Sequence, residues 1–114
     1  MTNNENKNNN NDKFDYTIKC VDNIVMIDTD ASYSEMIERI ISELNDSRIK
    51  LARMQWQSKY NNCVIYDYEP FCSDGYKLLI DIDCSNETMA RYALFVLTQR
   101  LEQVAQLEKL YIGV

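Results

Sequence analysis

This sequence contains no histidine, only two glycines and a single proline. Without His, a Ser-His-Asp triad is excluded, short of Ser-Lys or Cys-based variants, and one of the usual zinc ligands is missing. Gly75 and Gly113 stand alone, so no Gly-rich phosphate-cradling loop can be built. No apolar run is long enough to span a bilayer, and the N-terminus is rich in Asn rather than apolar, unlike a secretory signal. A cytoplasmic location is therefore expected. None of the four cysteines, Cys20, Cys63, Cys72 and Cys84, forms a C-x-x-C pair. Three fall in or beside predicted strands, where a free thiol acts as a small buried hydrophobe; a metal or disulfide role is the alternative. Cation is also in short supply: 12 Lys and Arg face 18 Asp and Glu, a net charge of -6. An acidic body repels phosphate, so weak or no nucleic-acid binding is expected of the chain alone. It would suit a basic partner, although acidity also serves solubility.

What is present is one domain's worth of chain: 114 residues, 46% apolar. Residues 1–13 hold seven Asn and nothing apolar beyond Met1, which predicts a disordered Asn-rich tail ahead of a single domain over 14–114. Phe14, Tyr16, Ile18 and Cys20 alternate with Asp15, Thr17 and Lys19, the pattern of a half-buried strand. Asp22-Asn23 predicts a turn, and Ile24–Asp28 a returning strand. Ser32 to Glu35 reads as a capping box, with Tyr33, Met36, Ile37, Ile40, Ile41 and Leu44 following at helical spacing until Asn45-Asp46-Ser47. Arg48–Tyr60 is ambiguous between a strand bulged at Ala52, where the alternation slips, and a second short helix; its composition leans to helix. Cys63–Glu69 and Tyr76–Asp83 read as a hairpin connected through Pro70, Ser73, Asp74 and Gly75. Ser85 is the expected N-cap of a helix over Thr88–Leu110, with Glu87 in the first turn.

The predicted order is β-β-α-β-β-α, an α+β fold with an antiparallel sheet and two long helices packed on one face. Ile27-Asp28-Thr29-Asp30-Ala31-Ser32 aligns without a gap on Ile80-Asp81-Ile82-Asp83-Cys84-Ser85. That is either a degenerate repeat or, more plainly, what any strand entering a Ser-capped helix looks like. Asp28 with Asp30, and Asp81 with Asp83, each share one face of a strand end. That spacing could hold a divalent ion, but no further ligands of defined spacing accompany it, and a solvent-facing strand looks the same. The chain is read as a non-enzyme that needs no cofactor and no metal.

The final helix is the most telling segment. Ala90, Leu94, Leu97, Leu101 and Val104 form one stripe, yet its first half is apolar nearly all round, through Met89, Tyr92, Ala93, Phe95 and Val96. A helix on a small sheet needs only one apolar stripe. The second face therefore points to a partner protein or a second subunit. Arg91, Tyr92, Phe95, Val96, Gln99 and Arg100 are the candidate interface, with solvated surface the plain alternative for the two arginines.

The block from Tyr76 to Arg91, with the strand Leu79-Ile80-Asp81-Ile82, the Ser85-Asn86 pair and Met89-Ala90-Arg91 opening the helix, resembles the small Pcc-type subunit of the KEOPS complex. The human cancer/testis-antigen-like L antigen proteins belong to the same family. The resemblance spans roughly 24–110. The chain departs from the family in an added strand, Phe14–Cys20, a longer connection, Arg48–Asn62, and apolar Phe95-Val96 where members often carry Asn-Ser. The resemblance implies a non-catalytic dimerisation subunit, homo- or heterodimeric. It would lay helices against a catalytic subunit and pair through its sheet, with Leu78, Ile80 and Ile82 the candidate sheet or dimer residues. The assembly it implies makes threonylcarbamoyl-adenosine in tRNA. The rival reading, of another class, is a small acidic inhibitor or decoy of phage or viral type that blocks a basic nucleic-acid-binding surface.

Overall fold

A computed structural model describes residues 5–7, 14–67 and 74–112. The strands are β1 (Glu5–Lys7), β2 (Tyr16–Val21), β3 (Ile24–Asp30), β4 (Ile49–Ser58), β5 (Val64–Ile65) and β6 (Tyr76–Cys84). The helices are α1 (Ser34–Ser42) and α2 (Glu87–Ile112), and a 3-10 turn, Ala31–Tyr33, leads into α1. The strands form one antiparallel sheet in the order β1-β2-β3-β6-β4-β5. Period-2 alternation puts Tyr16, Ile18, Val25, Ile27, Leu78, Ile80, Ile82 and Trp56 on one face. Both helices cover that face, closing a single core with Ile37, Ile40, Ala90, Ala93, Leu97 and Leu101. The chain is thus an α+β domain with its helices on one side of the sheet. The opposite face carries Thr17, Lys19, Met26, Asp28, Leu79, Asp81, Arg53 and Gln55, the mixed polar set of a solvated antiparallel face.

Much of the expected tail falls outside the described residues; within it, Glu5–Lys7 runs beside β2, with Asn6 opposite Ile18. At the head of the domain, the Phe14 ring meets Tyr16 at 5.1 Å and Tyr33 edge-on at 4.7 Å, fixing the start of β2 against the 3-10 turn. Asp22, at φ 54°, makes the tight turn between β2 and β3, a conformation Asp tolerates better than most residues.

Three local expectations are corrected. Arg48–Tyr60 is no helix: Ile49–Ser58 is a strand whose register shifts between Leu51 and Arg53, so Ala52 is the bulged residue where the alternation slipped. Helix propensity lost here because Trp56 and Ile49 reach the core only from a strand; the Trp56 indole N–H donates to Ser34 Oγ at 2.9 Å, and that hydroxyl donates to Ala31 O at 2.6 Å. Among the described residues the expected hairpin of Cys63–Glu69 with Tyr76–Asp83 does not form; Glu69, Pro70 and Ser73 lie outside them. Val64–Ile65 pairs with β4 instead, while β6 inserts between β3 and β4. The caps also shift. Asp30, not Ser32, caps the entry to the first helix by accepting from the Ser32 N–H at 2.9 Å. Asn86, not Ser85, caps α2 by accepting from the Met89 N–H at 2.9 Å.

Ile27 lies directly opposite Ile80 at the centre of the β3–β6 pair. These are the residues that align in the gapless match between the two halves. The order β2-β3-β6-β4 is therefore symmetric about that pair, with one helix following each central strand.

Candidate protein-binding surface

Helix α2 lays one narrow strip on the sheet. Ala90, Ala93, Leu97, Leu101 and Ala105 are buried, and the alanines let the helix axis approach β2, β3 and β6 closely. Leu94 and Val104, expected within the stripe, lie half-buried at its margins. Met89 closes the strip at the N-terminal end, beside the Asn86 cap.

Among the described residues nothing covers the opposite side of α2. Tyr92 is 52% exposed, Phe95 61% and Leu107 55%. Tyr92 and Phe95, three residues apart, lie side by side on that face. Val96 is half-buried beside them, and Gln99 is exposed one turn on. Arg91 is exposed and reaches Glu87 at 3.8 Å along the same helix. Arg100 departs from the expectation of a partner contact. It bends to α1, where its guanidinium meets Glu43 at 3.0 Å, and it donates to Gln103 at 2.8 Å. Arg100 thus ties the two helices together, while Arg91, Tyr92, Phe95 and Gln99 remain outward. Two rings with a cation beside them match the composition favoured in interface cores.

Leu78, Ile80 and Ile82 are buried beneath the chain's own helices. They are sheet residues, in β6, but their side chains are closed off in the folded domain, which corrects their reading as dimer contacts. The outward residues of β6 are Lys77, Leu79, Asp81 and Asp83, because side chains alternate along a strand. Of these, Leu79 and Asp81 line, with Lys19, Asp28, Arg53 and Gln55, a shallow depression of about 320 Å³ on the uncovered sheet face.

Four carboxylates of that face are individually partnered. Asp81 meets Arg53 at 2.6 Å, Asp30 meets Lys59 at 2.6 Å, and Asp28 lies 3.8 Å from Lys77. Asp83 accepts from the Asn23 side-chain amide at 3.2 Å. Burial pushes the Asp28 carboxyl above the usual carboxylate range, against the opposing pull of Lys77. Burial also raises Asp30, but its hydrogen bonds from Lys59 and Ser32 outweigh that and leave it lowered. Among the described residues no three Asp, Glu or Cys side chains converge as a metal site would require. Cys20 and Cys84 are buried and free, and burial raises both thiols, so they remain protonated at neutral pH. Burial and a 2.5 Å hydrogen bond to Glu102 likewise raise the Tyr16 phenol, which holds α2 to β2 and does not ionise.

No helix among the described residues is long and apolar enough to cross a membrane. Comparison of the chain with protein-family models, with curated proteins and with solved structures finds no match. The outer face of α2 is therefore read from its own chemistry.

Proposed function

We propose that this chain is a non-catalytic interaction subunit that docks the outer face of α2 on a partner protein. The observation that carries the reading is the pairing of Tyr92 and Phe95. Both rings are more than half exposed on a helix whose other side already fills the core. An isolated domain gains nothing from two adjacent solvent-facing rings, whereas docking on a helix of another subunit would take from water the exposed half or so of each side chain, out of about 150–250 Å² in full. The resemblance of Tyr76–Arg91 to Pcc-type subunits names the assembly: a complex that forms threonylcarbamoyl-adenosine in tRNA, with the partner its catalytic subunit or a paralogous small subunit. The net charge of -6 supports a role in which another subunit contacts the tRNA.

The test joins structure to modification. Removing the gene should lower threonylcarbamoyl-adenosine in bulk tRNA, measured by mass spectrometry of nucleosides. The wild-type gene should restore it, and the Phe95→Asp variant should not. Unchanged modification in the deletion strain would overturn the tRNA assignment. Restoration by Phe95→Asp would overturn the docking face. Recovery of a basic nucleic-acid-binding protein whose activity the chain suppresses would favour the inhibitor reading instead.

A further inference from the structure

The sheet has a second unpartnered feature, at its far edge. Strand β4 runs from Ile49 to Ser58, but β5 pairs with it only at Trp56 and Gln57. Among the described residues, Ile49–Met54 has no strand neighbour on its outer side. Which backbone groups face outward follows from two hydrogen bonds. Ser58 N–H donates outward to Cys63 O at 2.9 Å, and Ser85 N–H donates from the inner side to Arg48 O at 2.9 Å. Ladder groups alternate in direction along a strand. Counting from Ser58, Met54 points outward. Counting from Arg48, Ile49 and Leu51 point outward, and the bulge at Ala52 absorbs the difference in phase. The Ile49 N–H is already given to Asp46 O at 2.9 Å. The outward row is then the Ile49 carbonyl and both backbone groups of Leu51 and Met54.

Side chains on the two sides of this edge differ. On the helix side, Leu51 is 43% exposed. With Ile49 and Ile41 it forms the apolar part of a mixed groove of about 710 Å³ between β4 and α1, whose other side is polar, through Glu38, Ser42 and Asp46. On the uncovered side stand Lys50, in register with Asp83, and Arg53, which is in register with Asp81 and already ion-paired to it at 2.6 Å. Lys50 makes no ion pair among the described residues. A strand added here would place alternate residues over Leu51 and Ile49 and the others beside Lys50.

We infer that the Ile49–Met54 edge of β4 receives an extended segment of another protein in which apolar residues alternate with acidic ones. Main-chain hydrogen bonds would supply affinity and the two rows of side chains specificity, as in other strand-addition complexes. A second copy of this chain does not fit. Ile49–Ser58 contains no acidic residue, so two-fold pairing of β4 with itself would set Lys50 and Arg53 against the same cations, which is destabilising. The bulge and the basic side chains also guard the edge against indiscriminate pairing. This site is separate from the outer face of α2 and stands or falls independently of it.

The test uses the full chain, isotopically labelled, with amide exchange followed by NMR. In the free protein the Leu51 and Met54 amides should exchange freely; protection already present would show the edge closed and overturn the proposal. A soluble peptide of alternating valine and glutamate should slow both amides by at least about tenfold at saturation. The same peptide with lysine for glutamate should bind at least about tenfold more weakly. Lys50→Glu should remove or reverse that preference. Leu51→Pro should abolish binding of the glutamate peptide while leaving the β4–β6 ladder whole, because it deletes an outward N–H. Should the proline variant melt early, Lys50→Glu alone decides. Equal affinity for both peptides, no binding of either, protection mapping to Tyr92 and Phe95, or dimerisation of the chain through β4 in sedimentation would each overturn the inference.

Discussion

The two halves of this domain share a layout and differ in what they expose. Strands β2 and β3 lead into α1, and β4 and β6 lead into α2, around the central Ile27–Ile80 pair. Each central strand hands over to its helix through an Asx-type cap, Asp30 in one half and Asn86 in the other. Beyond the core the symmetry ends. Helix α1 has nine residues and turns Glu35, Glu38, Arg39 and Ser42 to solvent. Helix α2 has 26 and turns out Tyr92, Phe95 and Leu107. The edge of β2 has β1 beside it, whereas β4 has no strand on its outer side over Ile49–Met54 among the described residues. The core dictates the shared part, because both halves must bury one apolar strip on one sheet face. The differences lie where folding makes no demand, and that is where binding chemistry can be placed.

If the halves contribute equally to the core, their central side chains should cost the same to truncate. Ile37 in α1 and Leu97 in α2 are both fully buried. Ile37→Ala and Leu97→Ala should each lose about 2–5 kcal/mol, measured by urea unfolding. A loss under about 1 kcal/mol at either site, with the full loss at the other, would mean that one half is only loosely held. A smaller effect is expected where α1 is joined to the second half. Trp56→Phe keeps most of the ring's burial but removes the N–H given to Ser34 Oγ. It should cost about 1–2 kcal/mol. As Trp56 is the only tryptophan and is buried, the wild-type emission should be blue-shifted and move red only on unfolding.

The caps sharpen the comparison further. Asp30→Ala and Asn86→Ala should each cost about 0.5–2 kcal/mol. Only the first should depend on pH. The Asp30 carboxyl is held below its ordinary 3.8 in the folded state. Its contribution is therefore present above 3.8 and is lost as pH falls through the lower folded value. The gap between wild type and Asp30→Ala should narrow in acid, while that for Asn86→Ala should not. Parallel behaviour of the two variants from neutral pH to below 3.8 would remove Asp30 ionisation from the account.

The sequence discloses those parts of the fold that rest on periodicity. Alternation located β2, β3 and β6, and helical spacing located α1 and α2, because each buries one face and exposes the other. Ile49–Ser58 resisted the same logic. Its bulge at Ala52 breaks the alternation, and its first half lies on an open edge where Leu51 and Arg53 are not buried. Composition then favoured helix, and tertiary packing of Trp56 overrode it. The β4–β5 hairpin was missed for a related reason: two residues of pairing leave no pattern to read. On the candidate surface, Tyr92 and Phe95 were legible because apolar residues all round a helix exceed what one sheet can cover. The Arg100–Glu43 pair was not, because it joins residues 57 positions apart.

The smallest expected effect on stability is also the one that bears most directly on function. Phe95 is 61% exposed, so Phe95→Asp removes little buried area and places the carboxylate in water. Unfolding free energy should stay within about 0.5 kcal/mol of wild type, as for most surface changes. Association should be lost, because docking would desolvate a charge with no counterpart. The matching change on the other half, Arg39→Gln, lies on the solvated face of α1 and should alter neither quantity, so it serves as the control. Sedimentation of each variant with the purified partner, beside thermal melts, separates the two effects. If Phe95→Asp associates as wild type does, the rings of α2 are solvated surface and the two halves differ only in length. If it unfolds the domain as Leu97→Ala does, α2 is buried on both sides within one chain. Only loss of association with the fold intact makes α2 the functional half.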